Sequence, residues 1–263
     1  MRLLCIGDVC GSSGCEMVRR TLPELKLSKK IDTVIINGEN SADGNGITPK
    51  SAEYLFACGA DVITGGNHSF RRSEMLEYYD RNRFVLRPHN LPDASNGSGY
   101  CLLDKGRYTV AVINLSGKIF LEKLNAQNPF LCADELVERA KSDGANVIVV
   151  DFHAEATSEK RALGLYLDGR VSVFYGTHTH VQTADNQVLP GGTGYITDIG
   201  MTGPKNSVLG VKSEIIINRL KSDDYSKFEL SSNKSSLNAC IFDVDTSCGK
   251  TISTERIIIG ESK

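Results

Sequence analysis

The residues with the clearest chemistry lie in two short stretches, VVDFHAEATSEK at 149–160 and YGTHTHVQTAD at 175–185. The chain has five histidines, and three of them, His153, His178 and His180, fall there. In an extended segment, side chains at i and i+2 face the same side, so His178 and His180 can both reach a pair of adjacent metals. Neutral imidazole is the commonest metal ligand. The plain alternative is a buried or solvent-facing histidine pair. What favours ligation is the company: other apolar runs end in Asp8, in Glu39 and Asn40, and in Asn67 and His68.

Without His68, that set holds the imidazoles of His153, His178 and His180, the carboxylates of Asp8 and Glu39, and the amides of Asn40 and Asn67. A mixed nitrogen and oxygen set suits Mn, Fe, Co or Zn better than Mg or Ca, which prefer oxygen. It is too large for one tetrahedral zinc. The expectation is two transition-metal ions, divalent or mixed-valence, with iron or manganese first and zinc or cobalt as alternatives. Glu39 is the expected bridge, having two oxygens and a central place in the set. His68 adjoins a ligand and, kept off the metals, can act as a general acid; the alternative is a structural contact with a carboxylate. Asp151, Glu155, Asp185 and Asp198 are candidates to receive the second N–H of a metal-bound imidazole. His89 in RPHN and Asn45 in DGNGIT stand outside the pattern, and surface or turn roles are expected of them.

These groups need a scaffold that gathers them. Apolar, β-branched runs at 2–8, 33–40, 61–68, 146–153 and 171–178 read as buried strands, and each ends at a candidate ligand. Between them the pattern predicts helices at 16–27, 49–58, 71–81, 132–143 and 157–167. Such alternation indicates an α/β fold with crossover helices. Ligands in open α/β sheets bind beyond the carboxyl ends of the strands, so five such strands in one sheet would bring every candidate to one edge. Residues 98–116 read as a hairpin around Lys105-Gly106. From about 211, VKSEIIINRL, SLNACIFDVD and KTISTERIIIG alternate and predict antiparallel strands. The expectation is two packed sheets with helices outside, in one domain over 1–263, with 117–134 as a small lid insertion.

Composition narrows the function. A net charge of −2 argues against a wide nucleic-acid surface, which needs a basic face. A small phosphodiester remains compatible, because a metal supplies positive charge locally. No run approaches the roughly eighteen apolar residues of a membrane helix, and the N-terminal apolar part is too short for a signal peptide. A cytoplasmic location with no membrane contact is expected, and a homo-oligomer is compatible with the sequence. The eight cysteines form no C-x-x-C pair and read as reduced thiols packed as small apolar residues. Neither the P-loop nor the dinucleotide-binding glycine motif occurs. A metal-dependent amidohydrolase also uses His-x-His, but there the pair follows the first strand, where this chain carries Asp8.

GDVCG, NGEN, GGNH, DFHAEATSEK and GTHTHVQTAD together resemble the YmdB-like family of calcineurin-like metallophosphoesterases, from Met1 to about Lys205. The resemblance implies a four-layer α/β/β/α sandwich, a dinuclear metal centre and phosphodiester hydrolysis, with 2′,3′-cyclic nucleotides as the typical substrate. It further implies that Asp8, Glu39, Asn40 and His180 hold one ion. Glu39, Asn67, His153 and His178 would hold the other. Attack would come from a metal-bridged hydroxide, with His68 protonating the leaving oxygen. One departure concerns Cys10, which stands where many relatives in the wider superfamily carry a histidine. Packing is the expected role of Cys10, with a thiolate ligand as the alternative. The non-enzymatic alternative for the whole chain is a regulatory protein whose metal site binds a nucleotide with little or no turnover.

Overall fold

Two sheets lie face to face in the computed structural model, which describes residues 1–92, 96–222 and 226–260. At the heart of the first are three parallel strands, β1 (Arg2–Ile6), β3 (Thr33–Asn37) and β4 (Val62–Thr64). Beyond β1 it continues antiparallel through β12 (Ser235–Asp245), which also pairs with β13 (Lys250–Gly260) and β11 (Met201–Pro204). The short β2 (Asp8–Val9) closes that edge beside β11. The second sheet is ordered β5-β6-β7-β8-β10-β9. Its members are β5 (Tyr100–Asp104), β6 (Thr109–Ser116), β7 (Val147–His153), β8 (Val173–Thr177), β9 (Gln187–Val188) and β10 (Gly194–Ile196). Here β6, β7 and β8 run parallel, and the hairpin β5–β6 turns at Lys105-Gly106 as the sequence predicts.

Strand alternation builds the layers. Leu4 and Ile6 pack outward with Met17, Leu22, Leu55 and Tyr79, from α1 (Gly11–Lys29), α2 (Pro49–Cys58) and α3 (Met75–Arg81). Leu3 and Cys5 face inward, into a second core shared with Val110, Val112, Val147 and Val149 of the opposite sheet. Ile148, Val150 and Phe152 look outward again, onto α4 (Pro129–Ser142) and α5 (Thr157–Tyr166). Three apolar interfaces between four layers make an α/β/β/α sandwich. Among the described residues, no helix is long and apolar enough to cross a membrane.

Several expectations change. The five ligand-bearing runs do not share a sheet: β1, β3 and β4 lie in the first, β7 and β8 in the second. An apolar run reports burial, not its neighbour; β7 pairs with β6 of the hairpin, and β12 takes the open side of β1. VKSEIIINRL is not a strand, because residues Ser213–Ser222 form a helix, α6, with no buried residue. Three consecutive isoleucines bias the reading towards strand. Glu214 in the first turn and Arg219 and Lys221 in the last suit the helix dipole instead. Helix α1 starts at Gly11 rather than 16, its first turn being Gly-Ser-Ser-Gly, a composition of low helix propensity. Of the segment 117–134, residues from Pro129 onward belong to α4, and 117–128 form a loop with one 3₁₀ turn.

Candidate metal centre

The carboxyl ends of the two parallel triplets lie side by side, and there the core between the sheets turns polar. Asp151 of β7 is fully buried, and its carboxylate accepts from Thr64 Oγ1 at 2.5 Å and Thr177 Oγ1 at 2.8 Å. Asn37 reaches the same carboxylate across the sheets at 3.4 Å. Burial pushes the Asp151 carboxyl up to about 6, against the pull of these donors and of His153. This floor carries the candidate ligands.

His153 ends β7 and is fully buried. Its Nδ1 meets Thr177 Oγ1 at 2.9 Å, so Asp151 reaches the imidazole through a hydroxyl rather than directly. Its Nε2 has three polar neighbours: Asn67 Oδ1 at 2.8 Å, His178 Nδ1 at 3.0 Å and Glu39 Oε1 at 3.1 Å. One ring nitrogen holds one proton or one lone pair. It cannot hydrogen-bond to three groups at once, whereas donor atoms about 3 Å apart are what ligands around a shared cation look like. Glu39, His153 and His178 alone bring three ligand atoms within 4.8 Å of one another.

The second group adjoins the first through Glu39. Asn40 Nδ2 lies 3.3 Å from Glu39 Oε1 and 3.3 Å from His180 Nε2. His180 Nε2 is 3.7 Å from Asp8 Oδ1. Asp8 Oδ1 and His180 Nδ1 are buried and make no hydrogen bond among the described residues. A buried carboxylate oxygen without a donor is costly, and a cation is its natural partner. Asn40 turns its amide nitrogen towards this space and its oxygen to His68 Nδ1 at 2.7 Å. A half-turn of that amide presents the oxygen to a cation. The donor set therefore fits bound metal, and Glu39 lies between its two groups.

Without a cation the protons divide unevenly over the cluster, and those on Asp8 and His153 must leave when a metal binds. Burial pushes Asp8 up to about 8. Burial would raise Glu39 too, but His153 and then His68 outweigh it and hold Glu39 at about 2. Burial would lower His153, yet Glu39, Asp8 and Asp151 lift it to about 9. Burial, aided by His153, depresses His178 to about 3; burial depresses His180 to about 4. His178 and His180 are thus neutral at cellular pH, the form that binds metal.

The histidine pair does not converge by strand alternation. β8 stops at Thr177, and His178 and His180 both adopt positive φ, 102° and 63°. Such backbone costs on the order of 1–3 kcal/mol per residue and needs support from its surroundings. The support is at Thr179 between them, whose N–H and hydroxyl donate to Asp198 Oδ2 at 3.1 and 2.8 Å. The same oxygen accepts from Lys160 Nζ at 2.6 Å, in a pair that is almost wholly buried. The turn sends His178 towards His153 and His180 towards Asp8. Gly66 is equally tied to the site: a β-carbon there would lie 2.4 Å from Glu39 Oε2 and from the His153 ring.

His68 is partly exposed at the rim, its backbone N–H donating to Glu39 Oε2 at 2.8 Å. Burial lowers its pKa, opposed by Glu39. Glu155 faces His178 Nε2 at 2.9 Å. Asp185 accepts from Thr183 and Thr197 instead, and Asp198 holds Thr179 rather than a ring. Cys10 is buried and packs over Gly210, where a β-carbon would come within 2.4 Å of its sulfur. Asn45 closes a turn onto Ala42, and the His89 backbone pairs with Asn114. Sequence reasoning missed Lys160, Thr64, Thr177, Asn37 and Gly66. Lys160 lies inside DFHAEATSEK, but nothing in its spacing says that it is buried against Asp198.

The chain matches the model of the YmdB-like protein family over residues 4–257. It is 46% identical to the 2′,3′-cyclic-nucleotide 2′-phosphodiesterase of Bacillus subtilis strain 168, over 99% of this chain and 98% of the relative. A crystal structure described as a novel phosphatase of Mycoplasma pneumoniae superposes with a TM-score of 0.93 at 34% identity, covering 99% of this chain and 93% of that one. That of a hypothetical protein from Thermus thermophilus gives 0.92 at 35% identity, with both chains fully covered. With its sandwich of the metallophosphoesterase type and a histidine-carboxylate cluster at the strand ends, the chain belongs to the YmdB-like family.

Proposed function

We propose that the chain is a metal-dependent phosphodiesterase acting on small nucleotides, with 2′,3′-cyclic nucleotides as substrates, in the cytoplasm. The carrying observation is the crowded His153 Nε2 beside the unpartnered Asp8 Oδ1, a donor set unsatisfied within the protein. Asp8, Glu39, Asn40 and His180 would hold one transition-metal ion. Glu39, Asn67, His153 and His178 would hold the other, with iron or manganese the expected metals. When bound, the ions would neutralise the phosphate and acidify a water for attack on phosphorus. Support for the activity comes from the relative in Bacillus subtilis, whose name states it.

The protein's own groups do the rest. The Lys160–Asp198 pair and Thr179 fix the two histidines, so binding does not have to order them. Asp151 and Thr177 hold the His153 ring with Nε2 turned to the cluster. His68, tethered through Nδ1 to Asn40 and beside Glu39, stands at the open rim, where its protonated form would donate to the leaving oxygen. A sugar alkoxide leaves poorly without one.

His68→Ala tests this directly. Rate on adenosine 2′,3′-cyclic phosphate is expected to fall roughly 10²–10⁴-fold, the size of a general-acid contribution. Hydrolysis of bis(p-nitrophenyl) phosphate should fall far less, since nitrophenolate leaves unprotonated. Metal content, read by elemental analysis, should hold. Parallel loss on both substrates with loss of metal would make His68 a ligand. Absence of turnover by metal-replete wild-type protein would remove the catalytic reading altogether.

A further inference from the structure

The loops that carry Asn40 and His68 run on together past the cluster and open into a cavity of about 480 Å³. That lies within the range of small-ligand sites, about 300–1,000 Å³. Asp43, Asn45, Arg72, Arg219, Lys227 and Phe228 line it. The two loops touch along their length: His68 meets Asn40, and four residues on Arg72 meets Asp43. Four residues span at most roughly 14 Å even when extended, so the cavity begins within a nucleotide's length of His68.

Among the described residues the lining is cationic, with Arg72, Arg219 and Lys227 against the carboxylate of Asp43, in a chain whose net charge is −2. Arg219 lies over the Phe228 ring at 4.8 Å. Arg72 Nε is buried and has no hydrogen-bond partner among the described residues. Among the described residues Arg72 pairs with Asp43 at 3.7 Å, a carboxylate 92% exposed, and such a pair is worth little. The site is built, not incidental. Gly46, at φ 99°, lets the loop pass directly over Arg72, where a β-carbon would lie 3.1 Å from Arg72 Cγ. Opposite, Leu230 packs against Gly11 and Gly44 and bridges to Val211, which fixes the wall carrying Lys227 and Phe228.

We propose that this cavity seats a second phosphate of the substrate, one beyond the diester that is cut. The preferred substrate class is then a 2′,3′-cyclic phosphate on a nucleotide that also bears a 5′-phosphate. Arg72 and Lys227 are the groups that bind it, Arg72 by the exposed end of its guanidinium and Lys227 as a mobile charge. A bare cyclic nucleoside phosphate leaves these cations unused. This inference rests on the phosphodiesterase reading above and adds to it a specificity that the metal ligands do not supply.

The test compares adenosine 2′,3′-cyclic phosphate with and without a 5′-phosphate, using metal-replete full-length protein. Wild type should favour the 5′-phosphorylated compound in kcat/KM by about ten- to a hundredfold, the worth of hydrogen bonds to a charged group. Arg72→Ala and Lys227→Ala should each cut that ratio several-fold, and the double variant should bring it close to one. Lys227 is exposed, so its variant changes charge without disturbing the packing under Gly46. A wild-type ratio near one, or a ratio that survives both substitutions, would overturn the proposal. If neither compound is hydrolysed, the phosphodiesterase reading falls, and calorimetric titration with the 5′-phosphorylated compound decides the cavity alone. Weaker binding by the double variant supports the site, and equal affinity rejects it.

Discussion

Replacing Lys160 by methionine should damage a histidine turn that Lys160 never touches. Lys160 is fully buried, and its stem crosses Gly176, where a β-carbon would lie 2.8 Å from Lys160 Cδ. Its ammonium meets Asp198, which is itself 1% exposed. In the Lys160→Met variant, Asp198 keeps the donors at Thr179 and Gly200 but loses its only counter-ion among the described contacts. Breaking a buried pair from one side costs about 3–5 kcal/mol, because the remaining charge stays buried. Asp198→Asn should cost a similar amount by stranding the ammonium. The double variant buries no charge, so its loss should fall short of the sum by about 2–3 kcal/mol. Urea unfolding of metal-free protein measures this without a contribution from bound metal. Metal content supplies the second reading. It should drop in Lys160→Met, because His178 and His180 relax from positive φ once Thr179 is released. It should partly recover in the double variant, where the asparagine amide oxygen in place of the carboxylate can still accept from Thr179. Additive losses would show that the two groups are not a coupled buried pair. Unchanged metal content in all three variants would show that the pair stabilises the fold without holding the histidines.

Two further outcomes follow from the same geometry. Gly66→Ala should cost about 1–3 kcal/mol by overpacking and lower metal content sharply, since its new methyl meets Glu39 and His153 at 2.4 Å; wild-type metal content would refute this. Metal-free protein should melt highest near pH 6.5: His178 and His180, depressed to about 3 and 4, lose stability as pH falls below the imidazole value of 6.5, while Asp8, raised to about 8, and His153, raised to about 9, lose it as pH rises. Between pH 6 and 6.5 the two histidines outweigh Asp8, and below about 6 Asp151, raised to about 6, joins Asp8 and levels the curve; above 6.5 Asp8 and His153 act together. A thermal melt that rises steadily from pH 6.5 to 9 would contradict this charge assignment.

How much of this was legible in the sequence depends on the distance over which each signal acts. Strand ends announce themselves locally. An apolar run followed by Asp8, Glu39 or His153 is a pattern a few residues long, and all seven candidate ligands do come together at the junction of the two sheets. The pairing of strands is not local. Nothing in 146–153 says that β7 adds to the hairpin strand β6 rather than to β4, so a single five-stranded edge was the natural expectation, and the true arrangement divides the five strands three to two. This division has a chemical consequence. Ligands from two sheets face one another across a cleft, whereas ligands from one edge would stand in a row, and only the facing arrangement lets Glu39 of the first sheet touch His153 of the second at 3.1 Å.

The same distinction explains the histidine turn. His-x-His invites the reading of two side chains on one face of a strand, and the structure ends that strand at Thr177, before either histidine. What replaces alternation is a backbone that L-residues adopt only under constraint, and the constraint comes from residues 160 and 198, about twenty positions away on either side. A motif therefore records which atoms a site needs, while the forces that aim them sit elsewhere in the chain. Lys160 and Asp198 illustrate why those forces escape sequence reading. Each alone looks like an ordinary surface charge, and only their burial against one another, beneath Thr179, turns them into part of the site.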